Sequence, residues 1–474
     1  MLAIISDLHL GDRSAVENVD PDAFKLALGD VYGEAGRLAR RLDREVDLTL
    51  VLLGDAFDLL RTERWLEVPV ADRPYGSAAA LDGARPSPSA LAQAGKILDD
   101  ILETNARALA TLSGKDPAPP PGVAVRRVLL PGNHDRVALH DDGLYARMRA
   151  AVDAVDEGAL SGEGIHRHRL EMPAYGLLAR HGHEWDPWNF ASFDPHAHAH
   201  YDDAQYLAAP IGDAIATELA ARLPFEVKQR LAGVTAFSPD EKDEIYTHLQ
   251  GIENVRPALA SLQWVYQEAE RLGRAYGDAK VKALRAALDD TVQTLAKSFL
   301  ELDFYRAWHD RHSSIFHPFS MAAEVHAALE ALTVVRADTL GHAGERLGAL
   351  GAPRGNPLRA AALAGAKLED LTRVGSKDLR FVVYGHTHEA DLAPLDTRGT
   401  ADDLYLNTGT FRHRVLRTDD ARGFIASEVM TYLYFYREDE AAAWRGRAST
   451  RSTASSGPGR SGPAYAAWTG MRSR

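Results

Sequence analysis

Five times in this chain a strand-forming apolar run ends on a short cluster of Asp, His or Asn. Ser6-Asp7-Leu8-His9 follows Leu2-Ala3-Ile4-Ile5, and Gly54-Asp55-Ala56-Phe57-Asp58 follows Val51-Leu52-Leu53. Gly132-Asn133-His134-Asp135 follows Leu129-Leu130-Pro131. His181-Gly182-His183 follows Leu177-Leu178, and Gly385-His386-Thr387-His388 follows Val382-Val383-Tyr384. Continuous apolar runs suit strands of a sheet covered on both faces. Strand ends in such a sheet are where sites form, because the loops there rest on a rigid base. The pattern therefore points to a layered α/β chain with polar side chains gathered at strand ends.

The other segments fit this frame. Strands are expected at Leu2–Ile5, Val46–Leu53, Val125–Leu130, Tyr175–Arg180, Leu379–Tyr384 and Tyr405–Asn407. Ser89 to Leu112 reads as a helix capped by Ser89 and stopped by the Pro-rich link from Pro117 to Pro121. From Asp186 to Ser376 strand signal is scarce and helix signal abundant. Ser238-Pro239-Asp240-Glu241 is a capping box with proline at the first helical position. Val281, Leu284, Leu288, Val292, Leu295, Phe299 and Leu302 fall on one helical stripe, as do Val255, Leu259, Leu262, Tyr266 and Ala269 one helix earlier. Such stripes are packing surfaces. The segment, roughly 190 residues, is far too long for a loop and reads as a helical insertion or cap at 187–376. Gly423 to Arg437 returns to strand. The Ser/Gly/Arg-rich stretch 441–474 has the composition of a disordered tail.

The chain has 19 histidines and no cysteine, so a metal site must use His, Asp, Glu or Asn. Those ligands suit manganese, iron or zinc. The net charge of −13 disfavours tight nucleic-acid binding outside a local basic groove. The opening residues read as a strand rather than a signal peptide, and no apolar run is long enough to span a bilayer. A cytoplasmic location is the default expectation.

Taken in order, the clusters match Asp-x-His, Gly-Asp-x-x-Asp, Gly-Asn-His-Asp, a later His, and Gly-His-x-His. This series resembles the calcineurin-like metallophosphoesterase superfamily, over about Met1–Asp186 and Leu379–Arg437. The resemblance implies a four-layered α/β/β/α sandwich of two mixed sheets, formed by 1–186 and 377–440, with the helical segment inserted. It implies two divalent metal ions, with manganese expected and iron, zinc or nickel as alternatives. Asp7, His9 and His388 would bind one ion, Asn133, His181 and His386 the other, and Asp55 would bridge them. His183 competes with His181 for the fourth position; His181 is favoured because it lies nearer the strand end. His134 would act on the substrate without binding metal, oriented by Asp58 or Asp135. Water activated at the dinuclear centre would then attack phosphorus in a monoester, diester or pyrophosphate.

Substrate contacts are expected from Arg13, His183, Arg412 and His413, the last two in a loop that resembles the family segment after the final metal histidines. The histidines between Asp194 and His200, and His309, His312 and His317, read more readily as polar surface than as ligands. Trp185 and Trp188 read as core. The expected substrate is a phosphorylated small molecule or a nucleotide-like compound. The protein-phosphatase signature is absent, since Leu59-Leu60 follows Asp58. Two alternatives stay open: a nuclease of the double-strand-break-repair branch, suggested by Gly-Asp-Ala-Phe-Asp, and a non-catalytic scaffold. The start Ser-Asp-Leu-His-Leu also looks like the UDP-2,3-diacylglucosamine pyrophosphatases, whose compact pattern lacks so large an insertion.

Overall fold

The computed structural model describes residues 1–155, 165–194, 201–256, 260–313, 321–334, 357–369, 379–395, 403–418, 420, 422–445 and 464–472. Its strands in chain order are β1 (Leu2–Ile5), β2 (Val46–Leu53), β3 (Val123–Leu130), β4 (Ile165–His166), β5 (Arg169–Met172) and β6 (Leu177–Ala179). Then come β7 (Val255–Arg256), β8 (Phe381–Tyr384), β9 (Ala390–Pro394), β10 (Leu404–Thr408), β11 (His413–Arg417), β12 (Phe424–Tyr436) and β13 (Ala464–Arg472). One sheet runs β3-β2-β1-β12-β11-β7, with β13 also paired to β12; the other runs β4-β5-β6-β8-β10-β9. Both are mixed. β1, β2 and β3 are mutually parallel while β12 is antiparallel to β1. In the second sheet β6, β8 and β10 are parallel.

Side chains alternate across a strand, and the alternation explains the continuous apolar runs. Leu2, Ile4, Val51 and Leu53 face the second sheet and pack on Leu177, Ala179, Phe381 and Val383. Ala3, Ile5, Leu50 and Leu52 face outward onto Phe24 and Leu28 of helix Pro21–Leu42 and onto Ile97 and Leu98 of helix Pro88–Thr104. On the far side, Leu178, Val382 and Tyr384 pack on Trp185 and on Ala362 and Ala366 of helix Pro357–Leu368. The strands are thus covered on both faces, as their composition requires.

The middle of the chain is largely helical, with a departure from expectation at Val255. Helices Arg222–Ala232, Pro239–Gln250, Ser261–Tyr276 and Asp278–Leu300 share a core that includes Leu223, Leu249, Val265 and Leu288. Ser238 caps the second of these through the expected capping box. However, Val255 lies in β7, not on a helical stripe; it pairs in parallel with Val415 of β11 and adds an edge to the first sheet. Leu259 lies outside the described residues. Helix Pro88–Thr104 is capped by Ser87 rather than Ser89: Ser87 Oγ accepts from Ala90 N at 3.0 Å, and Pro88, already fixed in helical φ, takes the first position. Of the stretch 441–474, expected as a disordered tail, only 441–445 and 464–472 are described, and both are ordered elements; 446–463 lie outside the described residues. Glu438–Arg445 is a helix, and β13 pairs along β12 from Glu428↔Arg472 to Tyr436↔Ala464, because the exposed edge of the long strand β12 offers backbone donors and acceptors. No helix among the described residues is long and apolar enough to cross a membrane.

Candidate metal centre

The five clusters meet at one rim, where the parallel strands of both sheets end. Asp7 N donates to Gly54 O at 3.1 Å and His9 N to Asp55 O at 2.9 Å, which ties the first loop to the second. His386 N donates to Asp7 Oδ2 at 3.0 Å, which joins the two sheets. Gly385 N donates to His181 O at 2.9 Å. Asn407 Nδ2 donates to Gly385 O at 2.7 Å, and Thr410 Oγ1 to Asp7 O at 2.9 Å, so the loop after β10 braces the ligand loops.

The backbone here is strained. Among the described residues seven non-glycine positions have positive φ, and five of them are Asp7, His9, Asp55, His386 and His388, at 46° to 65°. That conformation costs about 1–3 kcal/mol per residue away from glycine and persists only where the surroundings impose it. The intervening glycines are explained by contact. A Cβ on Gly54 would sit 2.3 Å from His181 Nδ1, and one on Gly132 would sit 2.1 Å from Asp55 Oδ1. One on Gly385 would meet Asp7 Oδ2 at 2.5 Å. The space a side chain would fill is occupied by the next ligand.

Among the described residues three groups of side chains have donor atoms within 4.8 Å of one another: Asp7, His9 and His388; Asp55, His181 and His386; and His9, Asp58 and His134. Four imidazoles are held by their outer nitrogen. His9 Nδ1 donates to Asp58 Oδ2 at 3.0 Å, His181 Nδ1 to Leu53 O at 2.9 Å, His386 Nε2 to Asp186 Oδ2 at 2.9 Å and His134 Nδ1 to Asp58 Oδ1 at 2.8 Å. Fixing one nitrogen as a donor leaves the other with a lone pair, the arrangement of metal-ligating histidine. His9 Nε2 and His388 Nε2 converge to 3.1 Å. His181 Nε2 lies 3.2 Å from Asp55 Oδ2 without hydrogen-bond alignment, and Asn133 Oδ1 is buried with no partner among the described residues.

The electrostatics favour a cation. Burial works against charge on Asp55, but His181, His134 and His9 outweigh it and hold the carboxyl well below the usual range. Asp58 is likewise buried, and His134 and Arg61 hold it low. Burial opposes a proton on His181, yet Asp55 and Asp7, with the Leu53 carbonyl, push it up to about 10. A cage that draws positive charge onto a buried imidazole fits a divalent ion. These buried His and Asp groups can hold metal.

Not every expected residue joins them. His183 has its ring 5.3 Å from that of His181 and packs on Phe190 and Tyr206; burial, with Glu184 opposing and His181 assisting, lowers it to about 4. It belongs to none of the three groups. Asp135 does not orient His134: it accepts from Gly132 N and Phe57 N, at 2.9 and 3.2 Å, while Asp58 contacts the imidazole. Arg13 is 78% exposed and pairs with Glu103 at 3.0 Å on the surface. Arg412 is fully buried, with Nε and Nη2 on Asn254 Oδ1 at 3.0 and 2.6 Å, while its Nη1 is buried without a hydrogen bond among the described residues. His413 opens β11, half-buried opposite Glu428. Trp185 is core, with Nε1 donating to Tyr384 Oη at 3.0 Å. His309 and His312 lie on helix Asp303–His312 away from these clusters, and His196, His198, His200 and His317 fall outside the described residues.

Four contributors went unrecognised in the sequence. Asp186 orients His386, and Asn189 ties Asp186 to Asn133 by bonds of 2.6 and 3.3 Å. Both follow the fourth cluster closely enough to have been weighed as its support. Arg256 Nη2 donates to His388 Nδ1 at 3.1 Å, and Arg414 Nη1 to His388 O at 2.8 Å. Neither carries a local motif. Compared with known proteins, the chain matches no family model, and no curated protein or solved structure shows significant similarity to it.

Proposed function

We propose that this chain is a metal-dependent phosphoesterase of the calcineurin-like metallophosphoesterase superfamily, acting on a phosphorylated small molecule or nucleotide-like substrate. The observation that carries the reading is the coincidence of strain with chemistry: five residues with ligand-type side chains are held at positive φ in two adjoining groups of donors, linked where His9 Nε2 lies 3.6 Å from Asp55 Oδ2. The order of two mixed sheets with helices outside agrees with the family's four-layered sandwich. Asp7, His9 and His388 form one half of the centre; Asn133, His181 and His386 form the other, with Asp55 between. Two divalent cations held there, manganese foremost, would neutralise phosphoryl charge and make water nucleophilic near neutral pH.

The protein's own groups supply the rest. Asp58 fixes His134 by Nδ1, which directs Nε2 to where a leaving-group oxygen needs a proton. Asp186 and the Leu53 carbonyl set the tautomers of His386 and His181. Burial of Asp7 and Asp55 keeps water from competing for their oxygens.

Metal analysis of the purified chain, with a screen of chromogenic phosphomonoesters and phosphodiesters in Mn²⁺, tests this reading. Bound metal and turnover are expected. His134→Ala should lower the rate about 10²–10⁴-fold while keeping metal, as removal of a general acid does. A wild-type chain that turns over neither ester class with any divalent metal would favour a binding scaffold, and salt-sensitive DNA cleavage would favour the nuclease branch.

A further inference from the structure

Three guanidinium groups converge on the His388 side of the centre, and the helical segment delivers one of them. Arg256 ends β7 and is half-buried. Its Nη2 donates to His388 Nδ1 at 3.1 Å, and its Nη1 to the carbonyl oxygens of Glu253 and Val255, each at 2.9 Å. Arg414 Nη1 donates to His388 O at 2.8 Å, and its buried Nε has no partner among the described residues. Arg61 is 13% exposed, lies 3.6 Å from Asp58 Oδ2, and has a buried Nη1 without a hydrogen bond. Arg61 and Arg414 are the leading positive neighbours of Arg256, and Asp7 and Glu253 the carboxylates that face it.

Asp58 faces Arg61 and Glu389 faces Arg414, yet the arrangement keeps buried N–H donors, Arg61 Nη1 and Arg414 Nε, without a hydrogen bond among the described residues. On the phosphoesterase reading Asp7 is a metal ligand, and Glu253 lies 3.7 Å from a further cation, Arg412. The hydrogen bond to His388 points the same way. Arginine has no acceptor atoms, so Nδ1 of His388 must accept and its proton sits on Nε2. A His388 that gives Nε2 to a cation carries its proton on Nδ1 instead, where it opposes the guanidinium N–H. Arg256 then needs another acceptor.

We propose that Arg256, with Arg61 and Arg414, binds a non-bridging oxygen of the substrate's phosphate and makes the site selective for phosphomonoesters over phosphodiesters. The inference rests on the phosphoesterase reading and narrows it. A phosphomonoester presents three non-bridging oxygens and a charge near −2 at neutral pH; a diester presents two and a single charge. Donors set apart from the metal ligands match the additional oxygen and the additional charge. Guanidinium is suited to the task, because its fork of N–H groups fits phosphate geometry and remains charged. The helical segment thereby completes the site.

The test uses the full chain loaded with Mn²⁺. Binding of inorganic phosphate is measured by calorimetry, and kcat/KM is measured for 4-nitrophenyl phosphate and bis(4-nitrophenyl) phosphate, in wild type, Arg256→Gln and Arg256→Lys. Arg256→Gln should weaken phosphate binding about 10–100-fold, the scale of a lost charge-assisted hydrogen bond. It should lower kcat/KM for the monoester by a similar factor, change the diester less than about 3-fold, and retain the metal; Arg256→Lys should recover part of the loss. Equal losses on both esters, or loss of metal, would reduce Arg256 to a support for His388 and overturn the inference. So would unchanged phosphate affinity. If wild type hydrolyses neither ester but binds phosphate through Arg256, the anion site stands and the phosphoesterase reading fails instead.

Discussion

Glu253 is a buried carboxyl whose Oε2 has no hydrogen bond, although Arg412 Nη2 lies 3.7 Å away. Burial pushes it up to about 8; Asp58 and Asp12 add to the effect, and Arg61 and Arg256 oppose it. The folded chain therefore binds this proton more tightly than the unfolded chain. The sign follows: the contribution is complete below the ordinary glutamate range and is lost as pH rises through about 8. Glu253→Gln, which stays neutral, should match wild type near pH 5 and melt at a higher temperature near pH 9, by a few kcal/mol at most. Thermal melts across that range measure it, and parallel curves for the two proteins would count against a raised pKa. None of this was legible beforehand, because nothing in the residues around Glu253 announces that the helical segment folds back beside Asp58. Asp7, His9, Asp55, His386 and His388 were legible because each stands in a compact motif directly after its strand.

At the scale of elements, four of the five loops carry a glycine beside a candidate ligand, and at Gly54, Gly132 and Gly385 the space a side chain would take is filled by the next loop. Gly132 has no positive φ to preserve, so its conservation of volume is testable without backbone strain: Gly132→Ala should displace Asp55, because the added Cβ would stand 2.1 Å from Oδ1. We expect metal content and turnover to fall sharply. Gly233→Ala, with nothing within 4 Å of the added carbon, should leave both intact. Equal metal content in the two variants would show that the third loop yields freely. The sequence registered these turns, and it registered the Ser238 capping box, because both depend on residues within one turn of chain. It misplaced Val255 on a helix because β7 has two residues, too few for any period to show. It missed β13 because a strand added at an edge is specified by backbone pairing more than by composition.

For the whole molecule, continuous apolar runs gave the α/β class, since a strand buried on both faces must be apolar throughout. Which strands share a sheet was not legible: β1 and β8 carry the same kind of run yet lie in different sheets. That division matters for stability. Asp7, His9, Asp55 and Asn133 come from loops of the first sheet, whereas His181, His386 and His388 come from the second. Ions bound between them would join two layers that otherwise meet through apolar packing, such as Ile4 and Leu53 with Leu177 and Val383. A ligand that binds only the folded chain stabilises it by about 2.7 kcal/mol per site at a hundred times its Kd. Mn²⁺ should therefore raise Tm, and chelation should lower it while abolishing turnover. Asp55→Asn should remove both the metal-dependent rise and activity, because Asp55 lies against His181 and near His9, at 3.2 and 3.6 Å. Substituting exposed Arg13 should preserve the rise. A metal-loaded protein whose Tm did not respond to chelation would place its ions somewhere other than between the sheets.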